Sequence, residues 1–188
     1  MSRLSKSTVT MAFLCGLLMP ITAAYSAQAS NEGPFNANTL VEMTPLSTFQ
    51  LVGTATMKWL WLDIYQAQVL TPTGTYAVGQ RPLSLSLLYK RSISAEQLIQ
   101  STIDEWERQG IKYHPEWVTQ LGDMWPDVVA EDELILYVDR ASISHFFYNN
   151  KFIGAFNDTA FSSAFSAIWL SENTLKPKLR NQLIGLQL

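Results

Sequence analysis

The sequence predicts an α+β domain whose mainly antiparallel sheet is covered on one side by helices. Stretches with apolar residues at every second position, typical of strands, come before and after stretches with apolar residues three and four positions apart, typical of helices. The helical stretches come in pairs, so the predicted order is strands, two helices, three strands and two helices. Grouped strands and helices of this kind favour an antiparallel sheet over alternating β-α-β units.

The first 29 residues are predicted to form a cleaved export signal. Arg3 and Lys6 precede an apolar run, and Ala27-Gln28-Ala29 offers the small residues that signal peptidase recognises, with Ala24-Tyr25-Ser26 as a second candidate site. The apolar run is shorter than the roughly 20 residues that cross a bilayer, which favours cleavage over a stable membrane anchor. We therefore expect a periplasmic protein.

Composition limits the classes of function. Hydrophobic residues make up 47% of the chain and charged residues 15%, which excludes a disordered protein. The net charge is −3 and no basic run occurs, so neither nucleic acid nor anionic lipid is an expected partner. The single cysteine, Cys15, lies in the export signal, so no thiol chemistry is expected after cleavage. The six tryptophans are expected to fill a core, line a cleft, or do both.

The first half of the predicted domain begins with strands. Residues 30–48 are predicted to form an extended lead-in to a single domain over residues 49–188. A first strand is predicted from Phe49 to Val69, with apolar residues on both faces, as in a strand that is covered on both sides. A second strand, Leu83 to Tyr89, alternates leucine with serine and is predicted to bury one face.

Two helices are predicted next. Ser94 and Gln97 have the spacing of a capping box, in which each side chain bonds the other residue's free backbone N–H. The helix that follows is predicted to bury Trp106 and to expose Glu105. A second, short helix is predicted from His114 to Met124.

The second half of the domain is predicted as three short strands and two helices. The strands are predicted over Leu134–Asp139, Ile143–Tyr148 and Lys151–Phe156. Asn149-Asn150 is a two-residue hairpin signal, because asparagine tolerates positive φ. One helix is predicted to begin near Asp158 with an aromatic face, and the last is predicted from leucines at every fourth position, Leu175, Leu179 and Leu183.

The sequence carries no recognisable catalytic or cofactor motif. His114 and His145 lie in different predicted elements, so we expect no metal site, and His145 is predicted to be a partly buried sheet residue. There is no Gly-x-Ser-x-Gly elbow, no dinucleotide-binding glycine pattern and no phosphate loop. We therefore predict neither a cofactor nor a catalytic residue.

The candidate site is an apolar, aromatic cleft with positive charge at its mouth. Lys58 lies in the Trp-rich first strand, and Tyr89-Lys90-Arg91 ends the second. This layout suits an acyl or aromatic molecule held by its carboxylate. Residue content alone favours the simpler interpretation, in which Lys90 and Arg91 only solvate a strand end. The candidate ligand-binding residues are Lys58, Trp59, Trp61, Tyr65, Tyr89, Arg91 and Trp106.

Several stretches resemble the bacterial chalcone isomerase-like family. They are Gly53-Thr54-Ala55, Trp59 to Tyr65 with Ala67, Leu85 to Arg91 with Ile93, Phe161 through Ile168-Trp169-Leu170, and Leu179 through Leu183-Ile184-Gly185. The resemblance covers most of Leu51 to Leu186. It implies an open-faced β-sandwich, in which an antiparallel sheet is covered by a layer of helices with a cleft between them.

The resemblance does not extend to the catalytic groups of the family's enzymes. Plant chalcone isomerases place an arginine on the strand after the family's glycine turn, where this chain reads Thr56-Met57-Lys58. The tyrosine, lysine and asparagine of the helix after the second strand fall on Leu98, Ser101 and Glu105. Leucine cannot donate a hydrogen bond, and glutamate repels an oxyanion. We therefore expect no chalcone cyclisation.

Three functions remain open at this point. The leading hypothesis is a non-catalytic periplasmic protein that holds a fatty-acid-like or other small apolar anionic ligand between sheet and helices. The second is an intramolecular lyase or isomerase with a site rearranged around Lys58 and Tyr89. The third is a protein-interaction module of the cell envelope without a small ligand, for which the sequence indicates no particular partner.

Overall fold

The computed structural model describes residues 47–186, which form a six-stranded sheet and four helices. The strands are β1 (Gln50–Trp59), β2 (Leu62–Thr71), β3 (Leu83–Tyr89), β4 (Glu133–Val138), β5 (Ser144–Tyr148) and β6 (Lys151–Phe156). The helices are α1 (Ala95–Arg108), α2 (Pro115–Met124), α3 (Thr159–Leu170) and α4 (Pro177–Leu183). The predicted export signal and nearly all of the predicted lead-in lie outside the described residues.

The sheet is an antiparallel meander in which neighbouring strands are also consecutive in the chain. The predicted α+β class is therefore confirmed. Helices α1 and α2 connect β3 to β4, and α3 and α4 follow β6. In residues 47–186, no helix has the length and apolar character of a membrane span.

The segment predicted as one strand from Phe49 to Val69 is two strands, and that prediction was wrong. β1 ends at Trp59 and β2 begins at Leu62, so Leu60 and Trp61 form a two-residue turn. Leu60 has a φ of 57°, a left-handed conformation that glycine or asparagine usually supplies. The turn was missed because it contains neither residue and because the apolar pattern continues through it.

The local capping and turn signals are confirmed. Ser94 Oγ accepts from the Gln97 backbone N–H at 3.2 Å, and Gln97 Oε1 accepts from the Ser94 backbone N–H at 3.1 Å. The Asp158 carboxylate caps α3. Asn149 and Asn150, with φ of 48° and 65°, turn the chain between β5 and β6. At each position a side chain meets a local need of the backbone, so sequence alone is enough to find it.

An aromatic core lies between one face of the sheet and the helices. The Trp106 side chain is fully buried, contacts the rings of Trp117, Phe161 and Phe165, and donates from Nε1 to the Ala164 carbonyl at 2.9 Å. Burial of a large side chain such as this stabilises a fold by about 3 kcal/mol. The core therefore holds α1 and α3 firmly against each other. The opposite face of the sheet carries a smaller cluster, Ile135, Tyr137 and Phe147, on which Phe49 packs.

Helix α4 packs closely on the edge strand β1, at Gly53. A Cβ atom at Gly53 would lie 2.0 Å from the Gln182 carbonyl oxygen and 2.8 Å from that of Leu183, so only glycine allows this approach. Gly185, with φ of 77°, follows the helix and supplies the left-handed conformation that often ends one. Leu175, predicted to lie in this helix, instead precedes its first residue and is exposed.

Candidate functional site

A cavity of about 410 Å³ lies between the sheet and helices α1, α3 and α4. Its sheet wall consists mainly of the apolar side chains of Leu85, Leu87, Leu134, Leu136 and Phe146. Its helix wall consists mainly of the apolar side chains of Leu98, Phe165, Ile168, Trp169 and Leu179. Small-molecule sites in proteins usually have volumes of roughly 300–1,000 Å³ and apolar walls. The cavity therefore has the size and lining of a ligand site.

The sheet register explains why this wall is apolar and where it ends. Side chains two residues apart in a strand share a face, so Leu85, Leu87 and Tyr89 all lie on the cavity side of β3. Leu87 is paired with Leu134 on one neighbouring strand, and Tyr89 is paired with Tyr65 on the other. A strip of leucines therefore ends in a pair of tyrosines.

The tyrosine pair supplies hydroxyl groups to an otherwise apolar wall. The rings of Tyr65 and Tyr89 meet edge to face, with centroids 6.0 Å apart. Trp169 Nε1 donates to Tyr65 Oη at 2.9 Å. The Tyr89 side chain is 3% exposed, and among residues 47–186 its hydroxyl has no hydrogen-bond partner. Each hydroxyl keeps its own proton, so both can donate to an oxygen atom in the cavity.

Burial raises the pKa of both tyrosines. The pKa of Tyr65 rises to about 12, because desolvation outweighs the hydrogen bond from Trp169 and the charge of Glu105 raises the pKa further. Desolvation also raises the pKa of Tyr89 well above its usual value, with a smaller contribution from Tyr65. Both side chains therefore stay neutral at physiological pH and act as hydrogen-bond donors rather than as bases.

A buried carboxylate also lines the cavity. Glu105, predicted to face water, is only 9% exposed. Its oxygens accept from Arg108 Nε at 2.8 Å and Nη2 at 2.7 Å, from Gln109 Nε2 at 2.8 Å, and from the Leu175 backbone N–H at 3.2 Å. Burial acts to raise the pKa of Glu105, but these hydrogen bonds and the Arg108 charge outweigh it and hold the pKa below its usual value. The carboxylate is therefore ionised, and Arg108 balances its charge.

The Glu105–Arg108 pair also holds the loop between α3 and α4 at the edge of the cavity. Arg108 donates to the Asn173 carbonyl, and the Leu175 N–H donates to Glu105. Several cavity-lining side chains here are at least partly exposed to water, and we call this edge the polar mouth. The polar mouth consists of Ser101, Asp104, Arg108, Leu175 and Lys176. The cavity therefore has an apolar interior and one charged, water-exposed edge.

Two of the seven predicted ligand-binding residues, Tyr65 and Tyr89, line the cavity. Trp106 is a fully buried core residue that does not line it. Arg91 is exposed after the end of β3 and does not reach it. Tyr65 and Tyr89 therefore lie where a ligand could contact them, and their role in ligand binding stays a prediction.

The other three predicted residues lie at the exposed end of the β1–β2 hairpin. Lys58 Nζ pairs with Asp63 Oδ1 at 3.0 Å, and Trp59 and Trp61 are 61% and 81% exposed. None of these residues lines the cavity. The unpredicted turn at Leu60 and Trp61 explains this placement. It puts all three residues at the end of the hairpin, beyond the residues that line the cavity.

Sequence reasoning missed Glu105, Arg108 and Trp169 as cavity residues. A signal for Glu105 was present, because Leu98, Thr102 and Glu105 are four and three positions apart and so share a helix face. Trp169 was predicted as a core residue. It is buried, as expected, but it also lines the cavity and donates to Tyr65.

The histidines lie away from this cavity. His145 is a partly buried β5 residue whose Nε2 is 3.2 Å from Asp139 Oδ2 and whose ring stacks on Tyr137. The prediction that it is a sheet residue is confirmed. Within the part of the chain that the structure describes, no three His, Cys, Asp or Glu side chains are grouped so that they could share a metal ion.

Comparison with known proteins gives a family and a fold. Residues 36–185 match the model of the chalcone isomerase-like family. An uncharacterized protein of Haemophilus influenzae is 28% identical over 149 residues, which are 78% of this chain and 73% of that protein. A fatty-acid binding protein of Arabidopsis thaliana superposes with a TM-score of 0.58 at 11% identity, over 73% of this chain and 87% of that one. The predicted open-faced β-sandwich is therefore confirmed.

Proposed function

The chain belongs to the chalcone isomerase-like family, and we propose that it is a non-catalytic binding protein for a fatty-acid-like or other small apolar ligand. The observation that carries this proposal is the apolar cavity between sheet and helices, which ends in two tyrosine hydroxyls. The fatty-acid binding activity named for the Arabidopsis neighbour supports the same class of ligand.

The leucine strip and the facing residues of α3 contact the apolar body of the ligand. Transfer of each methylene group from water to such a wall contributes up to about 0.8 kcal/mol. Affinity therefore rises with chain length until the cavity of about 410 Å³ is full.

The two tyrosines bind the polar end of the ligand. Tyr89 supports this assignment best, since its side chain is 3% exposed and its hydroxyl has no partner among residues 47–186. Tyr65 can donate its own proton while it accepts from Trp169. These hydroxyls replace the predicted clamp of Lys58 and Arg91, which lie outside the cavity. An acid and an ester both offer the carbonyl oxygen that this pair requires.

The side chains at the expected catalytic positions support binding rather than turnover. Met57, Leu98, Ser101 and Glu105 occupy the stretches where the enzymes' arginine, tyrosine, lysine and asparagine are expected, and all four line the cavity. Neither a thioether nor an isobutyl group donates a hydrogen bond to a developing negative charge. The lyase or isomerase hypothesis therefore depends on donors other than those at the enzymes' arginine and tyrosine positions, such as Tyr65 and Tyr89.

The cavity also weighs against the interaction-module hypothesis, because a module without a ligand needs no apolar space of this size in its core.

We propose that the protein binds its ligand in the periplasm, and the predicted export signal over residues 1–29 supports this location.

Titration of delipidated protein with saturated fatty acids of increasing length, and with their methyl esters, tests the proposal. We expect affinity to rise with chain length and to be lost in Leu98→Trp, which fills the cavity. Met57→Trp is a second filling variant from the opposite wall, and Val78→Ser, in an exposed loop, is the control. If no fatty acid or ester binds the unaltered protein, the proposal is wrong.

A parallel assay with chalcones tests the enzyme hypothesis. We expect no cyclisation above the uncatalysed rate. Turnover that Tyr89→Phe abolishes would establish an isomerase in place of a binding protein.

A further inference from the structure

The β1–β2 hairpin ends in four consecutive apolar residues that face water. Trp59, Leu60, Trp61 and Leu62 are 61%, 68%, 81% and 37% exposed. We call these four residues the apolar tip. Contiguous exposed apolar groups of this kind usually mark a surface that contacts a protein or a membrane.

The backbone of the apolar tip is also unfavourable for its sequence. Leu60 has a φ of 57°, a left-handed conformation in which its Cβ is crowded and which glycine or asparagine adopts more easily. The fold needs the turn but not a leucine at this position. Exposed apolar area and an unfavourable backbone conformation therefore coincide at one residue, and neither stabilises the folded chain. Such a combination indicates a role outside the fold.

The two charged residues that flank the apolar tip in the chain balance each other. Lys58 and Asp63 flank it and pair with each other at 3.0 Å. The whole chain has a net charge of −3. The paired flanking charges therefore favour a partner that the tip contacts through its apolar side chains.

The small size of the apolar tip favours a lipid surface over a protein partner. A stable protein interface needs about 20–30 residues from each side, whereas the tip supplies four. A bilayer needs no complementary shape, and tryptophan is enriched where bilayer and water meet. We propose that the apolar tip inserts into the interfacial region of an electrically neutral lipid bilayer and docks the protein on its surface.

The position of the cavity agrees with a lipid partner. Met57 lies two residues before the tip and Ile64 two residues after it, and both line the cavity. Two strand residues span about 7 Å, so a docked tip holds this end of the cavity close to the bilayer. This last argument rests on the proposed function, because it assumes an acyl ligand that comes from the membrane. The exposure and backbone of the tip do not depend on it.

Flotation of the purified protein with phosphatidylcholine vesicles tests docking. We expect the unaltered protein to bind and the Leu60→Gly/Trp61→Ser double variant to bind at least about tenfold more weakly, since each removed side chain loses its apolar transfer energy. Glycine suits the positive φ of the turn, so this variant is expected to fold at least as stably. Val78→Ser removes another side chain that is 81% exposed, and we expect it to bind vesicles normally.

Salt and lipid charge give two further readouts. We expect 1 M salt not to weaken binding, and phosphatidylglycerol vesicles to bind no better than phosphatidylcholine vesicles, because the contact is apolar. Equal vesicle binding by the unaltered protein and the double variant would overturn the proposal, as would an absence of binding by both. A dimer that the double variant abolishes would assign the tip to a second copy of the chain instead.

The Leu98→Trp variant separates docking from ligand binding. Its filled cavity is expected to abolish fatty-acid binding and to leave vesicle binding unchanged. The double variant at the tip is expected to behave in the opposite way, with normal affinity for fatty acid in solution. The failure of one proposal is therefore distinguishable from the failure of the other.

Discussion

Tyr89 offers a donor to the cavity that residues 47–186 do not use. Its hydroxyl has no partner among these residues, so Tyr89→Phe removes no hydrogen bond within this part of the chain. We expect the free energy of unfolding to change by less than about 0.5 kcal/mol. We expect fatty-acid affinity to fall by about three- to tenfold, because the ligand loses one hydrogen bond. Calorimetric titration and urea unfolding of the same samples measure both quantities.

Tyr65→Phe is the matched comparison for this prediction. Trp169 Nε1 donates to Tyr65 at 2.9 Å, so this change leaves a buried donor unsatisfied and is expected to lower stability by about 1–3 kcal/mol. If Tyr89→Phe destabilises the protein equally and does not change ligand affinity, Tyr89 is a structural residue and the assignment of its hydroxyl to the ligand is wrong.

Glu105 is expected to make stability depend on pH. Its pKa in the folded protein lies below the unfolded value of about 4.3, so the unfolded chain binds more protons in this range. The stabilisation by Glu105 is therefore fully present above about pH 4.3 and is lost as the pH falls towards the folded-state pKa. We expect Glu105→Gln to lower stability at pH 7 by about 1.5–3 kcal/mol, because hydrogen bonds to a charged group are lost.

Urea unfolding between pH 7 and pH 3 measures this dependence. The free energy of unfolding of Glu105→Gln is expected to fall less steeply below about pH 4.3 than that of the unaltered protein. Identical slopes in the two proteins would contradict the role of Glu105 as a buried, ionised link between α1 and the loop at the polar mouth.

Single residues differ in how far sequence alone predicts their place. Tyr89 was predicted correctly, because strand alternation puts it on the face of Leu85 and Leu87. Glu105 was predicted to face water because glutamate usually does. Its burial depends on Arg108 and on the Leu175 backbone, a partner distant in the chain whose position only the folded structure gives.

At the scale of elements, the contact of α4 with β1 is expected to be sensitive to one methyl group. A Cβ at Gly53 would lie 2.0 Å from the Gln182 carbonyl oxygen, so Gly53→Ala must displace the helix from the strand. We expect a loss of about 3 kcal/mol or more in the free energy of unfolding. We also expect weaker ligand binding, since Leu179 of α4 lines the cavity.

Gly122→Ala is the control for this prediction. Gly122 lies within α2, and its added Cβ would meet only Ile99 Cδ1, at 3.8 Å. We expect this change to stabilise the protein by about 0.5–1 kcal/mol, because alanine favours a helix over glycine. Similar unfolding free energies for the two variants would show that the close contact at Gly53 is not a constraint on the fold.

The hairpin whose turn consists of asparagines was predicted, and the hairpin whose turn lacks glycine and asparagine was not. Asn149-Asn150 supplies the positive φ that its hairpin needs. Leu60 and Trp61 make the other two-residue turn without such a residue. Strand length could have indicated it, because a strand from Phe49 to Val69 is about twice the usual upper length of roughly 10 residues. The opposite charges Lys58 and Asp63 then mark the two sides of the turn.

At the scale of the whole molecule, the sheet and helix order was predictable but the cavity was not. Periodicity gives each element one apolar face and so gives the layers. Whether the space between layers is filled depends on which side chains meet across it. Trp106, Trp117 and Phe161 pack against one another, whereas Leu87, Leu98 and Leu179 line open space. That difference arises from packing between elements distant in sequence.

The predicted export of the chain can be tested by mass. We expect intact-mass analysis of the protein from its own cells to show loss of the first 29 residues, because the charged start, short apolar run and Ala27-Gln28-Ala29 match a cleaved signal. Cleavage at Ala24-Tyr25-Ser26 is the alternative that a slightly larger mass would identify. A product that keeps Cys15 and stays in the inner membrane would contradict the predicted location.

Native mass spectrometry of the protein purified gently from its own cells tests the ligand proposal most directly. We predict an adduct with the mass of a fatty acid or a related acyl molecule. We predict that this adduct is absent from Leu98→Trp, in which the cavity is filled. A protein that carries no adduct as purified, and acquires none when it is incubated with excess fatty acid or methyl ester, would contradict the account.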